Sequence, residues 1–130
     1  MSSEAAAQAP KLIALDHVQL AMPPGQEDLA RAFYTGVLGL PEVPKPENLA
    51  KRGGAWFCSE HVRVHLGVKQ DFRPAKKAHP AFFVNDLDVL VQRCQQAGYA
   101  VTSDEPLRGY KRVYVADSFG NRIELMELLK

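Results

Sequence analysis

The order of segments repeats within the chain, and that repeat restricts the fold more than any other feature. Residues Leu12 to Met22 carry the β-branched and leucine pattern of a strand, and Pro23-Pro24-Gly25 ends it. From Glu27 to Val37, the residues Leu29, Ala30, Phe33, Tyr34 and Val37 recur at helical spacing, and Gly36 and Gly39 ahead of Pro41 close the helix. A short strand is expected near Pro41 to Pro44, then an exposed loop to Gly54, then strands Ala55–Ser59 and Val62–Val68 joined by a turn at Glu60-His61. After a basic connector the order begins again. Pro80–Val84 reads as a strand, and Asp86 as the N-cap of a helix with the apolar stripe Leu87, Leu90, Val91 and Cys94. Gly98 stops that helix, and strands Tyr99–Thr102, Arg112–Ala116 and Arg122–Leu128 follow, the last two around the turn Asp117-Ser118-Phe119-Gly120-Asn121.

The chain therefore reads as one α+β domain over residues 11–130, made of two β-α-β-β-β modules. Module one spans 12–68, a connector 69–78 and module two 79–128, with residues 1–10 expected to be a disordered leader. Each sheet needs cover on one face. Two such modules can set their sheets side by side and curve them around a shared cleft, giving a cup-shaped open barrel. The net charge of +1 supplies no field that would draw nucleic acid or an acidic membrane. No apolar run approaches the roughly 20 residues of a membrane span, and no secretion signal opens the chain, so the expected location is the cytoplasm. Cys58 and Cys94 are too few for a disulfide framework and read as reduced packing residues.

The metal-capable side chains follow the repeat. His17 falls on the opening strand of module one and His65 on its closing strand; His79 opens module two and Glu124 lies on its closing strand. Pseudo-twofold packing of the modules would bring these four positions to one point. Alternation puts Arg63, His65 and Gly67 on one face of their strand, and Arg122, Glu124, Met126 and Leu128 on one face of theirs. A mid-strand carboxylate among Ile123, Leu125 and Met126 is costly unless it is exposed, paired or bound to a cation. Three imidazoles and a carboxylate suit a divalent first-row ion (zinc, nickel, iron, cobalt or manganese) better than calcium or magnesium. The fourth histidine, His61, sits in a turn beside Glu60 and reads as solvated.

Several segments together resemble the vicinal oxygen chelate superfamily of glyoxalases, bleomycin-resistance proteins and extradiol dioxygenases. Asp16-His17-Val18 is similar to its opening strand, Phe33-Tyr34-Thr35-Gly36-Val37-Leu38-Gly39-Leu40 to its helix end, and Val64-His65-Leu66 to its fourth-strand ligand position. His79-Pro80-Ala81-Phe82-Phe83-Val84 and Asp117-Ser118-Phe119-Gly120-Asn121-Arg122-Ile123-Glu124-Leu125 resemble the corresponding segments of the second module. Ser118 stands where the family usually has proline, and Pro80 where an aliphatic residue is usual. The resemblance covers Leu15 to Glu127. It implies a metal held by His17, His65, His79 and Glu124, and a homodimer. In some members the cup takes one module from each subunit, which would pair His17 and His65 of one chain with His79 and Glu124 of the other.

The implied chemistry is that of a metal-dependent, glyoxalase-like lyase or isomerase. Its small substrate has vicinal oxygens, the metal stabilises an enediolate-type intermediate, and Glu124 takes the proton beside the carbonyl. Arg73, Tyr110, Arg112 and Tyr114 are the candidate substrate-binding residues, and their charge suits an anionic substrate. Two alternatives remain. One is an extradiol-type dioxygenase using iron(II) on His17, His79 and Glu124; His65 speaks against it as a surplus ligand, as does Glu105 standing where that type's usual histidine would lie. The other is a metal-free small-molecule binding or resistance protein, against which all four ligand-type residues speak.

Overall fold

A computed structural model describes residues 9–130; apart from residues 9 and 10, the expected leader lies outside the described residues. Module one comprises β1 (Val18–Met22), α1 (Glu27–Tyr34), β2 (Glu42–Val43), the short helix α2 (Glu47–Ala50), β3 (Ala55–Cys58) and β4 (Arg63–Val68). Module two comprises β5 (Ala81–Phe83), α3 (Leu87–Gln96), β6 (Val101–Thr102), β7 (Tyr110–Ala116) and β8 (Arg122–Leu128). Each module forms a four-stranded mixed sheet, in the orders β1-β4-β3-β2 and β5-β8-β7-β6. The opening strand pairs in parallel with the closing strand in both, and the remaining pairs are antiparallel. The same topology twice is the expected α+β duplication.

Several features differ from expectation. The first strand begins at Val18 rather than Leu12, because β4 begins at Arg63 and no strand among the described residues lies alongside the residues upstream. Helix α1 ends at Tyr34, three residues short of Val37. The backbone widens there, with Gly36 N–H and Leu38 N–H donating five residues back to Arg31 O and Phe33 O. The loop before β3 contains α2, started by Pro46, whose ring-fixed φ of −53° suits the entry to a helix. By contrast, α3 is capped as expected, with Asp86 Oδ1 accepting from Val89 N–H at 3.2 Å.

The core explains the helical stripes. Ala30, Phe33 and Tyr34 of α1 bury against Met22, Phe57, Val64 and Leu66, while Leu87 and Cys94 of α3 lie in the same core with Val115, Ile123 and Leu125. Phe57 and Leu66 are essentially inaccessible, and each such side chain stabilises the fold by about 1.5–3 kcal/mol on transfer grounds. Phe33 meets Tyr99 of module two edge-on at 4.9 Å between ring centroids, so helix α1 serves both modules. Gly54, just ahead of β3, has φ of +83°, and a β-carbon there would fall 2.1 Å from Leu66 O; only glycine lets the chain enter β3 this close to β4. Cys58 and Cys94 are both free.

One buried polar cluster ties the modules together. Asp117 accepts four hydrogen bonds: from Phe119 N–H and Asn121 N–H on Oδ1, and from the Tyr34 hydroxyl (2.7 Å) and Asn121 Nδ2 on Oδ2. Asn121 Nδ2 also donates to Ala21 O of β1 at 2.9 Å, and Asn121 Oδ1 accepts from Ala75 N–H of the connector at 3.0 Å. Burial and the adjacent carboxylate hold the Tyr34 hydroxyl well above its usual pKa, so it remains a donor. The Asp117-to-Asn121 turn, expected only to reverse the chain, is thus the joint between β1, α1, the connector and module two.

Candidate metal centre

The four ligand candidates are brought together as two pairs. In module one the His17 and His65 rings stack at 4.1 Å between centroids with 18° between planes. Trp56 stacks on the other face of His65 at 3.9 Å and 4°, because Trp56 and His65 are register partners on β3 and β4. His17 lies one residue ahead of β1 rather than within it. Its Nδ1 faces Asp16 Oδ2 at 2.8 Å, which leaves Nε2 free. Burial, and then the positive charge His17 would carry, hold His65 below the ordinary histidine pKa, favouring the neutral imidazole that ligates metals. The pair borders a groove of about 780 Å³ that also includes Gln19, Lys45, Cys58 and Arg63.

In module two, His79 Nε2 lies 2.9 Å from Glu124 Oε1, while His79 Nδ1 faces Lys77 O at 2.8 Å. Both ring nitrogens therefore meet acceptors. A proton on Nδ1 serves Lys77 O, and a second proton is needed between Nε2 and Glu124. That second proton occupies a place a divalent cation would take over, since imidazole and carboxylate ligate only when deprotonated. Glu124 is 7% exposed, and its Oε2 accepts a 3.4 Å contact from Arg112 Nη1. A buried carboxyl group is tolerable here because both of its oxygens have polar partners, His79 and Arg112.

The two pairs are equivalent by register. Val18 pairs with Val64 and Gln19 with His65, so His17 stands two positions ahead of His65's partner. Ala81 pairs with Glu124, and His79 stands two positions ahead of Ala81. The single chain does not, however, bring all four to one point: among the described residues no group of three or more His, Cys, Asp or Glu side chains is placed to hold a metal ion. Within one chain the four stand as two separate pairs. The reason is topological, since β1 and β5 are edge strands of separate sheets and do not pair with each other.

The other candidates divide. Tyr110, Arg112 and Tyr114 alternate along β7 on the face that pairs with Leu128, Met126 and Glu124. Arg112 donates to the Tyr114 hydroxyl at 2.9 Å and to Glu105 O at 2.8 Å, so this guanidinium is already committed to Glu124, Tyr114 and the 104–105 loop. Tyr110 stacks on Phe83 at 6.0 Å. Arg73 stays exposed on the connector and makes no hydrogen bond to any of the four ligand candidates. His61 is exposed beside Glu60, as expected. Residues missed from sequence are Asp16, Arg63, which reaches Asp16 at 3.2 Å, and Arg122, whose guanidinium lies 4.6 Å over the Tyr114 ring. The place of Trp56 against His65 follows from the β3–β4 register.

The pattern of the Glyoxalase/Bleomycin resistance protein/Dioxygenase superfamily matches residues 14–125. The chain belongs to this superfamily. Among solved structures, a glyoxalase family protein from Bacillus anthracis is 47% identical, with 94% of this chain and all of that chain covered at a TM-score of 0.88. The fosfomycin resistance protein FosX from Listeria monocytogenes shares the fold at 15% identity and a TM-score of 0.69, covering 92% of this chain and 94% of its own. TnmS3, an antibiotic binding protein from Streptomyces, does so at 20% identity and 0.64, covering 91% of this chain and 100% of its own. No curated protein matches the sequence. Membership of the superfamily makes small-molecule chemistry or binding the general function. No helix among the described residues is long and apolar enough to cross a membrane.

Proposed function

We propose that this protein is a metal-dependent, glyoxalase-like lyase or isomerase whose centre is completed by two protomers. His17 and His65 of one chain would face His79 and Glu124 of the other. The observation that carries this reading is the register equivalence of the two pairs: each module presents half of a ligand set at the same strand positions, and neither half is sufficient alone. The donor set fits a divalent ion such as zinc, nickel, iron, cobalt or manganese. One free imidazole nitrogen (His17), one buried neutral imidazole (His65) and one imidazole–carboxylate pair sharing a proton are all available. Such an ion would supply a Lewis acid that polarises two adjacent oxygens of a small substrate.

The chain's own residues would do the rest. Glu124 is the proton acceptor, because one of its oxygens can leave His79 while Arg112 still orients the other. Arg122 over the Tyr114 ring, with Lys45 and Arg63 at the module-one groove, favours a substrate carrying negative charge. Trp56 backs the His65 ring.

The test is metal analysis of the purified protein and of His79→Ala, followed by exchange of a carbon-bound proton of small 2-oxo or 2-hydroxy compounds with solvent deuterium. Bound metal in the wild type, its sharp loss in His79→Ala with the fold preserved, and metal-dependent exchange are expected. Unchanged metal content in His79→Ala would remove the ligand assignment. Ligand binding by a protein that takes up no metal would favour a metal-free binder instead.

A further inference from the structure

The face of the module-two sheet that turns away from the core changes chemistry along its length. Register sets Arg122 at one end, Tyr114 with Glu124 and Ala81 next, then Met126 and Phe83, and Tyr110 with Leu128 at the far end. The first end is cationic. The Arg122 guanidinium lies 4.6 Å over the Tyr114 ring, which meets the His79 ring edge-on at 5.2 Å. Among the described residues no carboxylate pairs with Arg122, whereas Arg112 is held by Glu124, the Tyr114 hydroxyl and Glu105 O. One guanidinium on this face is therefore free for a ligand, and the ring beneath it restricts its motion before anything binds. The far end is apolar and open. Phe83 is 69% exposed and Leu128 60%, and Phe83 stacks on Tyr110 with 29° between planes. A single exposed apolar side chain needs no explanation. Adjoining ones on the face that also carries His79 and Glu124 mark a surface that an apolar group covers.

We infer that the substrate is a 2-oxo or 2-hydroxy carboxylate that carries a flat apolar group, with its carboxylate at Arg122 and that group on Phe83 and Tyr110. The inference rests on the lyase or isomerase reading proposed above and names the substrate class for the same site. The order along the face is the order along such a molecule: anion, oxygenated carbon beside His79 and Glu124, then ring. Charge selects the head group. A carboxylate is satisfied by one guanidinium fork, while a phosphate dianion calls for a second cation, and Arg112 is already committed. Spacing selects the other end. Phe83 stands two positions beyond Ala81, the register partner of Glu124, which is about 7 Å along the strand, so a ring joined to the oxygenated carbon through one or two further carbons reaches it. A flat ring also stacks on Phe83 and Tyr110 where a branched chain would not.

Calorimetric binding of three probes to the full chain, with and without added nickel, tests it: phenylpyruvate, pyruvate and the methyl ester of phenylpyruvate. Phenylpyruvate is expected to bind at least about tenfold tighter than either of the others, since pyruvate lacks the ring and the ester lacks the charge. Arg122→Met should erase the preference over the ester and keep the preference over pyruvate, and Phe83→Ser should do the reverse. Far-UV circular dichroism and sedimentation accompany both variants, and the wild-type comparison decides the matter even where a variant fails to fold. Equal binding of the three probes, no binding of phenylpyruvate at millimolar concentration, or folded variants that keep both preferences would each overturn the inference. A Phe83→Ser protein that changes its oligomeric state and still prefers phenylpyruvate to pyruvate would assign the apolar end to a second copy, and would overturn it as well. Both preferences in a protein that takes up no metal would refute the metal reading and uphold the substrate class; nickel uptake with equal binding of the probes would do the opposite.

Discussion

Replacing Asn121 by alanine removes the side chain that joins three parts of the fold, and its cost can be worked from the contacts. Asn121 is 1% exposed. Its Nδ2 donates to Ala21 O and Asp117 Oδ2, and its Oδ1 accepts from Ala75 N–H. The backbone bond from Asn121 N–H to Asp117 survives, as does the Tyr34 bond to Asp117. Each lost bond is worth about 1 kcal/mol net, and a backbone group left buried without a partner costs about 1–3 kcal/mol. Two backbone groups are orphaned, so the expected destabilisation is about 3–5 kcal/mol, a large share of the roughly 5–15 kcal/mol that holds a domain together. Tyr34→Phe removes one bond to a carboxylate that keeps three others, with an expected cost of about 2 kcal/mol. Because both changes act on Asp117, the double variant should cost less than the sum. Urea unfolding at fixed protein concentration, comparing midpoints at unchanged slope, measures all three. A loss below about 1 kcal/mol for Asn121→Ala would refute the joint, since water would then be replacing the side chain without penalty.

Other consequences follow from the site. His65 is held below its ordinary pKa in the folded chain, so the unfolded state binds more protons below about pH 6.5. Metal-free protein should therefore lose stability as pH falls from that value toward the folded pKa, and His65→Gln should flatten this loss in denaturation midpoints taken between pH 7 and pH 5. Uptake of a divalent ion should release protons, because one proton lies between His79 and Glu124; calorimetry in buffers of different ionisation enthalpy would show it, and a buffer-independent heat would contradict the shared proton. Arg112→Met should slow proton exchange on substrate by about tenfold to a hundredfold while the fold persists, since it frees Glu124 Oε2 and the Tyr114 hydroxyl; unchanged kcat would remove Arg112 from the positioning of Glu124. Trp56→Ala should loosen metal without unfolding the core, because Trp56 packs on His65 and lies outside the buried cluster; unchanged metal affinity would count against that support.

Much of the architecture was legible because periodicity reports burial. The helical stripes of α1 and α3 and the alternation along β4, β7 and β8 appear in the fold nearly where the sequence places them. Boundaries were less legible, as Leu12–His17 shows: a strand pattern states that a segment can pair, and only the position of β4 states that it has no partner among the described residues. The short helix α2 was hidden in a run of proline and charged residues, whose composition reads equally as loop.

The chain alone determined the duplication, the residue types available for a metal, and their matching places on opening and closing strands, because these are properties of order and spacing. Tertiary structure decided how those residues group. It stacked His17 and His65 on Trp56, and set His79 against Glu124 with Arg112 behind. It also kept the two pairs apart by placing β1 and β5 on separate edges. Distance in space depends on which edges the packing of Phe33, Tyr34 and Asn121 leaves free, and no local pattern encodes that.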